Sequence, residues 1–262
     1  MNNCIIRGFR RFLRVPAILF FLLKMAIVTS WRVRRAADRE HFLAEQTQKW
    51  ALGLLKILGI RLQIHGDTAL PCRCGGLLVS NHQSYLDILV HAAVAPMRFT
   101  PNTGIRKWFF FGWYIGLSNP VWIDRTSPLK AKKTLEEFRT TLRNGICLII
   151  YPEGTTTSGR VPLLPFKSTA FEAVAGTDIP LIPLLTVYGT PCAGDHHPAW
   201  YDDTPFICHV RKILGNRMIT ADVHILPEIT KTPEMDRKSL AQASYSVLEP
   251  ARSAAAEEMN IK

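Results

Sequence analysis

A chain of 262 residues, 47% of them apolar, is enough for one large domain, or for a modest domain with an added element. The formal net charge is +11, yet residues 1–39 hold nine Arg or Lys against one acid, Asp38, so the remainder of the chain is close to balanced. That distribution argues against a protein basic throughout to hold nucleic acid, and suits a segment lying against anionic lipid.

Between the first basic clusters lies "VPAILFFLLKMAIVTSW", residues 15–31. As a helix it would span roughly 26 Å, short for a bilayer crossing, and Lys24 sits at its middle. Arg flanks both ends, so the positive-inside rule assigns no orientation. The stretch reads as a membrane-embedded anchor that need not cross. A true crossing, a buried core helix and a cleaved signal peptide are the alternatives, the last without an A-x-A-like site. A second helix is expected over 40–58, with Phe42, Leu43, Trp50, Leu54 and Leu58 on one broad face and Gly59 as its stop. Residues 61–65, "RLQIH", alternate as a strand does, and "TALPCRCGG" is a turn-rich loop. Residues 1–59 are thus expected to form a helical membrane-anchoring segment and 60–262 an α/β domain. Of six cysteines only Cys72 and Cys74 are close together, and a lone C-x-C is a weak metal signal. Free thiols and no metal are expected.

From residue 77 the chain alternates strand, loop and helix. "LLVS" (77–80) leads to "NHQSYLD" and the helical "LDILVHAAVA"; "VWID" (121–124) leads to "RTSP" and a helix over 129–143. Ser127 is a good N-cap for that helix, Pro128 suits its first turn, and Asn144–Gly145 marks its end. "ICLIIY" (146–151) is an apolar strand followed by "PEGTTTSGR" and a helix near 168–176. "IPLIPLLTVYG" (179–189) supplies a further strand, and the C-terminal stretch from Ser239 reads as a surface helix interrupted at Pro250. This order implies an α/β fold, a mainly parallel sheet flanked by helices, behind an N-terminal helical membrane anchor.

"NHQSYLD" carries the chemistry. Within one straight helix, His82 and Asp87 would lie about 140° apart around the axis. They can meet if His82 occupies the strand-to-helix turn and Asp87 the first helical turn. The carboxylate then fixes the ring tautomer and leaves the other nitrogen as a base, with no protein nucleophile supplied. A capping Asn81 beside a solvated Asp87 is the bland alternative. Ligands in parallel sheets bind beyond the carboxyl ends of the strands. Two further strand ends deliver Arg125, and Glu153 with Gly154, to that edge.

"NHQSYLD", "VWIDR", "YPEGTTTSG" and "IPLIPLLTVY", in this order, resemble the four blocks of the glycerolipid and lysophospholipid acyltransferase family, over about residues 77–190. The resemblance implies that His82 is the general base, Asp87 orients it, Arg125 holds an acceptor phosphate, and Glu153, Gly154 and Thr155 shape the acceptor site. It implies no cofactor, with acyl-CoA or an acyl carrier protein as the donor. It also implies membrane lipids as partners and a place on the cytoplasmic face of a membrane, the inner one in a bacterium. The acceptor it suggests first is 1-acylglycerol-3-phosphate. Two departures bear on that choice. Thr156 stands where the family's third block usually has Arg, and Asn102 aligns with a usual Lys. Lys167, with Arg160, is the candidate replacement. Variants of this kind occur among family members that acylate lyso-ornithine lipids, the alternative acceptor. "WFFFGWY" (108–114) suits membrane or acyl contact, or packing on the sheet. The rival enzyme class, a serine hydrolase, lacks its G-x-S-x-G elbow here. A non-catalytic lipid-binding protein would have no need of His82, Asp87 and Glu153 together.

Overall fold

The computed structural model describes residues 2–69, 75–108, 111–124, 126–160, 162–189 and 191–261. Cys72, Cys74 and Arg125 lie outside them. Six strands form one sheet in the order β1-β6-β5-β2-β4-β3: β1 Ile60–His65, β2 Leu77–Ser80, β3 Met97–Arg98, β4 Cys147–Ile150, β5 Leu181–Tyr188 and β6 Ile219–Ile225. All neighbouring strands run parallel except β5 and β6. β2, β4 and β5 are buried at every position, as strands covered on both faces must be.

The helices are α1 Asn2–Arg32, α2 Arg39–Leu58, α3 Asp87–Val94, α4 Phe111–Gly116, α5 Pro128–Arg143, α6 Phe206–Leu214 and α7 Arg237–Ile261. One face of the sheet packs Leu78, Ile149 and Ile182 with Leu55 of α2, Val90 of α3 and Ile213 of α6. The other packs Leu77, Leu148 and Leu181 with Phe138 of α5 and Leu240 and Leu248 of α7. α2 thus shares the main core, although the expected division of the chain falls at its end. The expected caps are present. Gly59 ends α2 at a φ of 72°, which only glycine adopts readily, and Ser127 Oγ accepts from Lys130 N at the start of α5.

Three expected elements differ. Residues 121–124 form no strand: Ile123 makes a single parallel bridge to Asn102, with Val121 N and Ile123 N donating to Phe99 and Pro101 carbonyls. The helix expected near 168–176 is a short 3-10 segment, Thr169–Ala173. α7 runs through Pro250 without a break, and it is no surface helix, because Leu240, Ser244 and Leu248 are wholly buried. Proline removes one backbone donor, a loss that packing of this face against the sheet outweighs.

α1 is amphipathic in an unusual sense. Its inward stripe runs Arg7, Arg10, Arg11, Arg14, Ile18, Leu22 and Ala26, while Ile5, Phe9, Phe12, Leu19, Leu23 and Ile27 are exposed. It is long and apolar enough to cross a membrane, with 17% of its most apolar window buried. Leu22 and Ala26 pack on Trp50 and Tyr114.

The buried face of α7 makes a direct prediction. Leu248→Ala should destabilise the protein by about 2–5 kcal/mol, as truncation in a packed core does. An exposed site would lose less than about 0.5 kcal/mol. Thermal unfolding of the two proteins in the same detergent measures the difference.

Candidate active site

β2 ends at Ser80 and the chain turns away from the sheet, still tied to it. Asn81 Nδ2 donates to Thr186 O (2.9 Å) and Asn81 Oδ1 accepts from Thr186 N (2.8 Å), so the side chain imitates a strand partner to β5. Asn81 is therefore a peg between strands rather than a helix cap. The peg lifts His82 onto the turn at the carboxyl ends of β2, β4 and β5. The His82 peptide is held at both ends: its N–H donates to Glu153 Oε1 (2.9 Å) and its carbonyl accepts from Thr157 N (2.8 Å).

Asp87 opens α3 and is fully buried. Its Oδ2 accepts from His82 Nδ1 (2.7 Å), Gln83 N (2.7 Å) and Ser84 N (2.9 Å), and its Oδ1 from the Tyr188 hydroxyl (2.6 Å). Burial alone would raise the carboxyl pKa. The bond to His82, the nearby imidazoles and Tyr188 outweigh it, and the net shift is downward. An ionised Asp87 accepts only, so His82 Nδ1 carries the proton and Nε2 presents a lone pair, on a side chain 19% exposed. Among the described residues no hydrogen bond reaches Nε2, so this is an oriented base with one nitrogen to offer.

The ring of His82 stacks on Tyr151, with centroids 4.1 Å apart and planes at 18°. The Tyr151 hydroxyl bonds His91 Nδ1 (2.9 Å), and His91 Nε2 bonds Thr186 Oγ1 (2.6 Å) and Ser80 Oγ (3.1 Å). His91 lies one helical turn beyond Asp87 and is wholly buried, which pushes its pKa down to about 4. It is a neutral strut behind the base. Neither it nor Tyr188 is assigned a role by sequence reasoning. The i, i+4 spacing of Asp87 and His91 was the available signal for the first; for Tyr188 it was the place at the end of the fourth block.

Glu153, expected in the acceptor site, directs both oxygens at the backbone: Oε1 takes His82 N, and Oε2 takes Leu164 N (3.1 Å). Burial raises its pKa against those two bonds. Gly154 follows at a φ of 76°, and a Cβ there would meet Lys167 Nζ, so the lysine lies across the glycine turn. Gly154, Thr155 and Lys167 are exposed at the rim. The structure thus gathers His82, Asp87, Glu153, Gly154, Thr155 and Lys167 at one edge, while Arg125 is outside the described residues. Thr156 Oγ1 donates to Trp200 O (2.5 Å), and Asn102 Oδ1 accepts from Gly104 N (2.7 Å). Of the aromatic run, Tyr114 packs on Trp50 and Trp113 is 57% exposed, so packing and exposure divide the segment.

Segment 195–205 forms the neighbouring wall. Trp200 N donates to Gln83 O (2.7 Å), and the Trp200 ring meets Tyr85 and Phe206 edge to face. His209 Nε2 donates to Ala199 O (3.1 Å), which leaves Nδ1 to accept from the Tyr85 hydroxyl (3.1 Å).

Two predictions follow from the buried groups. His91 stays neutral in the fold down to about pH 4, whereas in the unfolded chain it titrates near 6.5. The unfolded state alone gains that proton between those values, so stability falls as pH drops through the window, by up to about 3 kcal/mol. His91→Gln should flatten the slope, read as melting temperature at pH 7 and pH 5. Glu153→Gln leaves one acceptor for two backbone donors. It should cost about 1–3 kcal/mol and slow turnover, read by unfolding and assay together.

Comparison with known proteins identifies the family. The family model described as Acyltransferase covers residues 61–187. A lyso-ornithine lipid O-acyltransferase of Rhodobacter capsulatus is 33% identical over 193 residues, 71% of this chain and 68% of the relative. A 1-acyl-sn-glycerol-3-phosphate acyltransferase of Escherichia coli is 30% identical over 134 residues, 50% of this chain and 54% of the relative. The crystal structure of the 1-acyl-sn-glycerophosphate acyltransferase of Thermotoga maritima has the same fold, with a TM-score of 0.69, 19% identity, and 95% of this chain and 97% of that one covered. The first, third and fourth blocks that suggested the resemblance meet at the edge where His82 bonds Asp87, through Glu153 and Tyr188, and the chain belongs to the acyltransferase family.

Proposed function

We propose that this protein moves a fatty acyl group from an acyl thioester, carried by coenzyme A or an acyl carrier protein, to the free hydroxyl of a lysolipid at a membrane surface. The observation that carries the reading is His82 Nε2, a base oriented by a buried carboxylate, with no bond from it to a side-chain nucleophile among the described residues. The lysolipid hydroxyl is the nucleophile. It gives its proton to Nε2 as its oxygen attacks the thioester carbonyl. The C–S bond then breaks, and the imidazolium returns the proton to the leaving thiolate. Asp87 stabilises the imidazolium between the two transfers, and the face of the Tyr151 ring lies against the same charge. No acyl-enzyme forms.

For the acceptor, a lyso-ornithine lipid ranks ahead of 1-acylglycerol-3-phosphate, reversing the order suggested by the motifs alone. Both positions that departed from the phosphate-binding pattern have other work: Thr156 holds the Trp200 carbonyl and Asn102 closes a turn. The Rhodobacter relative, named for a lyso-ornithine lipid, is also matched over more of its length than the Escherichia one. The outward apolar face of α1 fits insertion into one leaflet, along the body rather than across the bilayer, with the site opening on the cytoplasmic side.

Purified protein offered each lysolipid with each acyl donor, with products read by mass spectrometry, tests the reading. His82→Ala should lose roughly 10²–10⁴-fold in turnover. Asp87→Asn should also lose activity, through the wrong ring tautomer. Near-normal turnover of His82→Ala would end the mechanism. A wild-type enzyme that acylates 1-acylglycerol-3-phosphate and leaves the lyso-ornithine lipid untouched would restore the first order of acceptors.

A further inference from the structure

The arginines at the start of α1, expected against anionic lipid, face the protein. Arg7 Nη1 donates to Gly194 O (2.6 Å), Arg10 Nη1 to Gly215 O (3.3 Å) and Arg11 Nε to Arg211 O (2.8 Å). Arg14 Nη1 donates to Leu214 O (3.1 Å) and Asn216 O (2.6 Å). Spacing of three and four puts the four side chains on one helix face, over the C-terminal end of α6 and the loops beside it. Helix carbonyls there have no intrahelical partner and carry the negative end of the dipole, so guanidinium groups complement them twice over. Gly215 is the close-approach point, where a Cβ would lie 3.1 Å from both Arg7 Nε and Arg11 Nη2.

These carbonyls belong to the arm that walls the site. Asn216 is wholly buried and pairs with His196 in both directions, Oδ1 accepting from His196 N (2.9 Å) and Nδ2 donating to His196 O (2.7 Å). Asp195 Oδ2 accepts from Arg217 N (2.7 Å). Four residues after His196, the Trp200 backbone bonds Gln83, next to the base, and Thr156, in the glycine turn. Hydrogen bonds at both ends, linked by the five-residue stretch from His196 to Trp200, therefore join α1 to the turn that carries His82.

We propose that Arg7, Arg10, Arg11 and Arg14 are positioning residues for the active site. They clamp the 194–217 arm so that Trp200 stands beside His82, and they make the anchor a structural part of the lysolipid-binding wall rather than a tether. The kinetic part of this inference rests on the acyl-transfer reading; the structural part does not.

Two variants of the full-length protein test it, in vesicles of phosphatidylcholine and phosphatidylglycerol. R11K/R14K keeps every charge but removes the planar fork. Gly215→Val keeps every arginine and wedges a side chain among them. Both should sediment with vesicles like wild type. Amide exchange over 195–206, including Trp200 N–H, should run roughly ten- to a hundredfold faster, the opening expected on losing a charge-assisted hydrogen bond. The Michaelis constant for the lysolipid should rise, with that for the acyl donor unchanged. Wild-type exchange and wild-type constants in both folded variants would overturn the proposal. So would R11K/R14K losing vesicle binding while its kinetics per bound enzyme stay normal, because the arginines would then serve lipid. Absence of turnover in wild type would count against the acyl-transfer reading alone, and the exchange rates would still decide the clamp.

Discussion

The carboxylate of Asp87, buried and charged, is the constraint around which the site is built. An unpaired carboxylate in that position would be intolerable, and four donors compensate it: an imidazole, two backbone amides and a phenol. They come from three structural decisions. The amides of Gln83 and Ser84 require the chain to leave β2 in a tight turn. The phenol requires β5 to lie beside β2. The imidazole requires the His82 peptide to be rotated toward α3, which Glu153 and Thr157 enforce from the loop after β4. Satisfying one buried charge thus draws three strand ends together. The same satisfaction leaves His82 Nε2 with a lone pair to offer.

The site has a rigid floor and a borrowed wall. The floor is the stacked Tyr151, the His91 strut behind it and the pegs of Asn81 to Thr186. Asn81 and Tyr151 directly follow the fully buried β2 and β4, Thr186 lies on β5 and His91 on α3. The wall is the 195–205 segment, which has few regular elements of its own and takes its position from neighbours. On one side those neighbours are Gln83 and Thr156; on the other they are the arginines of α1 through the end of α6. A lipid-modifying enzyme must open its site toward the membrane. Here the element with the exposed apolar face is also the one whose arginines bond the arm behind the wall, so on the proposed reading membrane contact and substrate binding share a single helix.

The legibility of the sequence varied with the range of the interactions involved. His82 and Asp87 were readable because five residues separate them and local geometry brings them together once a strand ends at Ser80. The caps at Ser127 and Gly59 were readable for the same reason. Residues 121–124 misled because an apolar run of four suits a strand equally well when it makes only one bridge. Glu153 was legible as a member of a motif. Its partners, the N–H groups of His82 and Leu164, come from separate parts of the chain and could not be read from its neighbours.

The sequence by itself determined the family, the α/β order of elements, the base with its orienting carboxylate, and the presence of a basic, apolar N-terminal helix. Those properties rest on short-range spacing and on motif order, which folding preserves. Only the tertiary structure decided which way each helix face turns and what the long-range polar groups meet. Charge count alone directs the arginines of α1 to lipid; the structure turns them onto the carbonyls of α6, about 200 positions away in sequence. Likewise α7, polar enough on average to pass for a surface helix, covers a sheet face, because burial depends on one stripe of side chains and not on composition.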